Sequence, residues 1–109
     1  MNSKTLRELH DALGVSRRAV QGYEKAGLVS TTSKNKYGHL LYDQAAQDRI
    51  QRIKLYQQLG FRLAEIKYLI DAPAPVVKEA LEQQILVLRE YQVHMDDLIQ
   101  KAYELIHTL

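Results

Sequence analysis

GVSRRAVQGYEKAGL, Gly14 to Leu28, is the stretch on which the fold turns. Gly14 can take a positive φ past a helix end, Val15 is apolar enough to be buried, and Ser16 is a good N-cap for a helix that follows. That second helix is expected to run to about Ala26, with Gly27 ending it. Upstream, Thr5-Leu6-Arg7-Glu8 has the pattern of a capping box and predicts a helix from Leu6 to about Ala12. Two helices joined by three or four residues, with glycine in the turn and serine at the second N-cap, form a helix-turn-helix signature. An ordinary helical hairpin has the same spacing, so the stretch alone leaves both readings open. It also carries Gly22 inside the second helix, where glycine costs about 1 kcal/mol relative to alanine.

Downstream, Thr31-Thr32-Ser33-Lys34-Asn35-Lys36-Tyr37-Gly38 is polar and rich in turn formers, and the apolar run His39-Leu40-Leu41-Tyr42 follows. This pattern predicts a small β-hairpin, a wing, after the second helix. Asp43 then reads as the N-cap of a helix through Leu59, with Ile50, Ile53 and Leu55 as its apolar positions. Gly60 ends that helix. A shorter one is expected over about Leu63 to Ile70, turning Leu63, Ile66, Leu69 and Ile70 inward.

Asp71-Ala72-Pro73-Ala74-Pro75 is the clear boundary, because proline disfavours helix in itself and in the residue before it. Beyond it Leu81, Ile85, Leu88, Gln92, Met95, Ile99, Ala102, Ile106 and Leu109 alternate steps of four and three, the seam of a coiled coil. A helix from Val76 to Leu109 would be roughly 50 Å long, too long to bury its seam on so small a domain. The expected consequence is a homodimer. Leu86, Leu98 and Leu105 broaden the stripe, and packing of the helix against its own chain is the competing reading. Gln92 is the polar seam position, of the kind that sets register or orientation.

The totals narrow the class. At 109 residues the chain holds one domain, or a compact domain and one long element, with a modest core. It has no cysteine, which removes disulfides and thiolate metal sensing within these residues. There is no run of 18 apolar residues and no signal-peptide layout at MNSKTLRELH, so no membrane partner and a cytoplasmic location are expected. Residues 1–72 carry 12 Lys/Arg against 7 Asp/Glu, and residues 73–109 carry 3 against 6. The basic part has the sign of a polyanion binder. No nucleophile, paired-carboxylate or phosphate-loop constellation is present, and an enzyme is not expected. His94 with Asp97, and His107 with Glu104, have helical i, i+3 spacing, but a solvated helix face accounts for them; no metal or other cofactor is expected.

In this order the parts resemble the MerR family of bacterial transcription regulators. The resemblance rests on Leu13-Gly14-Val15-Ser16, on Tyr23-Glu24-Lys25-Ala26-Gly27-Leu28, on Gly38 followed by Tyr42, and on Leu59-Gly60-Phe61-Arg62-Leu63-Ala64-Glu65-Ile66. It implies a mainly α fold, a winged helix-turn-helix DNA-binding domain over 1–72 followed by a C-terminal dimerisation helix over 73–109 forming an antiparallel coiled coil. It further implies a homodimer on double-stranded DNA at an inverted-repeat promoter operator, distorting that DNA beside RNA polymerase. Carried onto this chain, Ser16, Arg17 and Arg18 start the reading helix, and Gln21 can still reach a base or phosphate. Tyr23, Lys25, Lys34 and Lys36 are expected to contact phosphates, with His39 in the wing. Leu81, Ile85, Leu88, Gln92, Met95, Ile99, Ala102 and Ile106 would carry dimerisation.

The chain also departs from that pattern. Gln21-Gly22-Tyr23-Glu24 stands where the family usually has Arg-Tyr-Tyr-Glu, His39-Leu40 where it has a wing Tyr-Arg, and Arg62 where it has a capping Ser or Thr. These changes motivate a second reading, a dimeric protein-interaction module with weakened or lost DNA binding. The family usually senses its signal beyond the long helix. Either the protein is a short form without a sensor of its own, or these residues are part of a longer regulator.

Overall fold

The computed structural model describes residues 3–109, and they divide into two compact units, the first ending at Ala72 and the second running from Pro73 to Leu109. The first unit runs α1 (Leu6–Leu13), α2 (Arg17–Lys25), β1 (Ser33–Lys34), β2 (Leu40–Leu41), α3 (Gln44–Gln58) and α4 (Leu63–Leu69). The second is one helix, α5 (Ala74–His107).

Local chemistry sets the helix starts. Thr5 and Glu8 form the expected capping box, with the Glu8 amide donating to Thr5 Oγ1 at 3.3 Å and the Thr5 amide to Glu8 Oε1 at 3.1 Å. The Thr5 amide, and after it the Thr5 hydroxyl, both donating to Oε1, hold the Glu8 carboxyl below its ordinary range. Ser16 Oγ accepts from the Ala19 amide at 3.0 Å and Asp43 Oδ1 from the Ala46 amide at 2.9 Å. Gly14 closes α1 in the left-handed conformation at φ 68°, its amide donating to the His10 carbonyl at 3.0 Å. Arg62 supplies no side-chain cap to α4; Glu65 Oε1 accepts from the Arg62 amide at 3.0 Å instead.

The hairpin pairs Ser33 with Leu41 and Lys34 with Leu40, antiparallel. Its tip is fixed from within: Asn35 Oδ1 accepts from the amides of Tyr37 and His39, and Gly38 turns at φ 81°. The sequence reading missed the bridge of Lys4 to Tyr42, two backbone hydrogen bonds of 2.8 Å that tie the start of the chain to the end of the hairpin.

Leu9, Val20, Leu28, Tyr42, Ile50, Ile53 and Ile66 are fully buried, so every helix of this unit contributes to one core. Each such aliphatic side chain contributes about 1.5–3 kcal/mol by burial. Two inward positions differ from expectation. Leu55 is exposed, and Tyr56 takes the buried place, meeting Phe61 edge-on at a centroid distance of 5.8 Å. Three residues after Ile53 returns to the same helix face, whereas two does not. Leu63 is only half-buried; Ile66, Leu69 and Ile70 carry that face.

Side chains from α3 pin the rest. Lys54 Nζ donates to the carbonyls of Leu13 at 2.9 Å and Gly14 at 3.3 Å, at the negative end of α1. Arg49 donates through Nε to the Leu28 carbonyl and grips both Asp71 carboxylate oxygens at 2.8 Å. Buried Gln47 donates to the Tyr42 carbonyl at 3.0 Å.

The boundary at Pro73 and Pro75 acts differently from expectation. Helix α5 begins at Ala74, two residues before the predicted Val76, with Pro73 as N-cap and Pro75 in the first turn. A first-turn proline gives up an amide that would have no intrahelical acceptor, and its φ suits the helix. At the other end α5 stops at His107, short of Leu109, and Thr108 Oγ1 donates to the Leu105 carbonyl at 2.7 Å. None of its residues is buried.

The hydrogen-bonded ion pair with Arg49 holds the Asp71 carboxyl below its ordinary 3.8. A carboxyl depressed in the fold stabilises it above the unfolded value and loses that contribution as pH falls through the folded one. An Asp71→Asn variant should therefore have a lower urea midpoint than wild type at pH 7, with the difference shrinking once the pH is below 3.8. A constant difference across that range would show that the pair does not contribute.

Candidate nucleic-acid interface

Helix α2 is the element on which the expected contacts depend. Val20 and Tyr23 anchor its inner face, while Arg17, Arg18, Gln21 and Lys25 are exposed along the outer one. Ser16 sits at its start with Oγ engaged as an acceptor, leaving the hydroxyl hydrogen to donate outward. Among the described residues neither Arg17 nor Arg18 makes an ion pair. Two unpaired guanidiniums at the exposed start of a helix can each offer a fork of donors to a base edge or a phosphate.

Tyr23 requires a correction. It is 3% exposed, and its hydroxyl donates to Gln57 Oε1 at 2.7 Å. Burial also raises its pKa. This phenol fastens α2 to α3 and is not presented to a phosphate. The neighbouring Glu24 is likewise structural, accepting a hydrogen bond from the hydroxyl of fully buried Tyr42. Burial, followed by that bond and the Glu24 charge, raises the Tyr42 pKa far above the ordinary phenol range, so it remains a donor.

Gly22 leaves open space. A methyl group there would meet no atom within 4 Å, and the residue has ordinary helical φ. In the hairpin, Lys34, Lys36 and His39 are all exposed. Lys36 Nζ lies 5.1 Å from the Tyr37 ring centroid, and the His39 ring is 6.3 Å from that of Tyr37.

The structure brings some of these residues together and separates others. Arg17, Gln21 and His39 line one cleft of about 570 Å³ with Thr5, Leu6, Arg7, Gly38 and Leu40. Ser16 and Arg17 share a second, of about 380 Å³, with Leu6, Arg7 and His10. Arg18 and Lys25 line neither. Arg7 is the residue that the sequence reading missed. Its signal was a cation in the first turn of a helix, where the dipole disfavours positive charge.

A capped helix-turn-helix, a hairpin beside the second helix, and unpaired arginines at the start of that helix define a winged helix-turn-helix of the nucleic-acid-binding kind. The chain belongs to the MerR family: the model for MerR HTH family regulatory proteins matches residues 4–72, and that for the MerR DNA-binding region matches 47–102. It is 33% identical over 95 residues to the transcriptional activator Mta of Bacillus subtilis (strain 168), covering 87% of this chain and 37% of the activator. It is 32% identical over 94 residues to the mercuric resistance operon regulatory protein of Bacillus cereus, covering 84% of this chain and 71% of that protein. The crystal structure of MtaN, the N-terminus of the Bacillus subtilis multidrug transporter activator, superposes with a TM-score of 0.73 at 30% identity, over 94% of this chain and 97% of that one. The present chain thus spans little more than a third of the length of the first of these relatives. Among the described residues no helix is long and apolar enough to cross a membrane.

Because Gly22 has space and ordinary helical geometry, Gly22→Ala should stabilise the domain by about 1 kcal/mol. Urea denaturation would measure it; a loss of stability would mean that something in solution fills the space beside Gly22.

Proposed function

We propose that this chain is a sequence-specific DNA-binding transcription regulator of the MerR type, acting as a homodimer on an inverted-repeat promoter operator and distorting the DNA there. The observation that carries the reading is the pair Arg17 and Arg18, exposed and free of ion pairs at the start of a helix held rigid by Tyr23 and its Ser16 cap. Ser16, Arg17, Arg18 and Gln21 take the base-facing side. Lys25, Lys34, Lys36 and His39 add contacts that position the domain without reading sequence. RNA polymerase at the promoter is the expected protein partner.

Double substitution of Arg17 and Arg18 by alanine should abolish preference for a duplex from the protein's own promoter region while leaving the fold and the dimer intact. Each good bidentate arginine–guanine pair carries about 1–3 kcal/mol of discrimination. Fluorescence anisotropy on that duplex and on random DNA is the measurement. Equal, weak binding of both duplexes by wild type would favour the other reading, a dimeric protein-interaction module that has lost its DNA contacts at Gln21, Gly22 and Leu40.

The homodimer reading rests on α5. Ile85, Leu88, Met95, Ile99 and Ile106 stand exposed along it at heptad spacing, with Leu81, Gln92 and Ala102 completing the seam. An apolar stripe of that length is unfavourable in water without a second helix over it. Leu88→Lys with Met95→Lys should halve the mass found by light scattering. An unchanged mass would show that the seam is not the dimer contact.

A further inference from the structure

Several features of the molecule remain outside the reading above: Arg7, the cleft of about 570 Å³ that it lines, the exposed Leu55 and Tyr68, and the second apolar stripe of α5. The cleft carries an argument furthest.

Its walls come from three elements: Thr5, Leu6 and Arg7 from the start of α1, Arg17 and Gln21 from α2, and Gly38, His39 and Leu40 from the hairpin. No carboxylate lines it. The nearest acid in sequence, Glu8, is turned back onto Thr5, accepting from its amide and its hydroxyl at 3.1 Å each. Among the described residues neither Arg7 nor Arg17 makes an ion pair. The two arginines also share the adjoining smaller cleft. Two guanidiniums thus line one cleft with no counter-ion, and each lies in the first turn of its helix, where the dipole makes a cation unfavourable by about 0.3–1 kcal/mol. An anion in the cleft would relieve both penalties.

The rest of the lining narrows the class of anion. Leu6 and Leu40 are apolar, Gln21 and Thr5 offer neutral hydrogen bonds, and nothing stands within 4 Å of the position a Gly38 side chain would take. Cationic donors beside an apolar wall suit a sugar joined to a phosphate better than a bare ion. The cleft is also large for a bare ion, within the usual 300–1,000 Å³ range of ligand sites.

We propose that this cleft seats a sugar–phosphate unit of the DNA backbone, with Arg7 as its principal cation, so that α1 grips the duplex as well as α2 and the hairpin. The inference rests on the DNA-binding reading above and adds to it a residue and a site. It also gives the chain a backbone cation close to where Gln21 and Leu40 replace the arginines usual in the family.

A backbone contact carries no sequence information, which makes it separable from base reading. The probes are two fluorescein-labelled duplexes, one from the protein's own promoter region and one of random sequence, titrated by wild type, Arg7→Ala and Arg7→Lys at several salt concentrations. Each neutralised phosphate contributes about 0.9 to the log–log salt slope, so Arg7→Ala should make the slope shallower by about that much. It should also weaken binding roughly five- to tenfold at about 0.1 M salt, on both duplexes alike. Arg7→Lys, which keeps the charge, should recover most of the loss. Arg7 is exposed, and alanine is favourable in a helix, so thermal unfolding of the variant should match wild type. A wild-type slope in Arg7→Ala, or a loss confined to the promoter duplex, would overturn the proposal while leaving the DNA-binding reading standing. If wild type binds neither duplex, that reading fails first, and this one with it.

Discussion

Two cations on α3 hold the ends of the helix-turn-helix. Lys54 bonds to the carbonyls of Leu13 and Gly14, where α1 ends and the turn begins, and Arg49 bonds to the carbonyl of Leu28, just beyond α2. A helix leaves its last carbonyls unsatisfied; at the end of α1 Lys54 answers them from a third helix, whereas the last carbonyls of α2 accept from the amides of Ala26, Gly27 and Leu28 and Arg49 takes the loop carbonyl beyond. The angle between α1 and α2 is therefore set by α3 as well as by the turn. Val20 and Leu9 then lock the arrangement from inside, and the hydroxyl of Tyr23 fastens α2 to the same helix through Gln57. The inner face of α2 is held through Val20 and Tyr23, which leaves its outer face exposed.

Arg49 extends this hold further. Besides the Leu28 carbonyl it grips Asp71, which follows Ile70, the C-cap of α4. One guanidinium thus joins the loop that leaves α2 to the end of the first unit. Its planar fork suits the task, since it can satisfy a carbonyl and both oxygens of a carboxylate at once, as a lysine could not.

What was legible in the sequence was what local chemistry decides. Thr5, Ser16 and Asp43 cap helices because a side-chain oxygen followed three residues later by an amide is a short-range pattern. Gly14 and Gly38 could be placed at turns because positive φ is needed there. The long apolar seam was legible because it repeats. Long-range partners were not legible: Lys4 with Tyr42, Lys54 with Leu13 and Arg49 with Asp71 are 22 to 41 residues apart or otherwise distant in the chain, and no local pattern marks them. The exchange of Leu55 for Tyr56 arose because tyrosine reads as half polar until its hydroxyl's surroundings are known. Tyr23 failed the same way. Arg17 and Arg18 could be placed at the exposed start of α2 from the sequence, whereas the cleft that Arg7 shares with Arg17 exists only because the fold brings α1 beside α2 and the hairpin.

Helix α5 has no glycine, and its proline lies in the first turn, so nothing in its sequence softens it over 34 residues. At 1.5 Å per residue it is a lever of about 50 Å, and each degree of tilt at one end moves the other by about 1 Å. The base pairs of a duplex are stacked about 3.4 Å apart. A rotation of only about 4° at one end of such a rod is then worth a full base-pair step at the other.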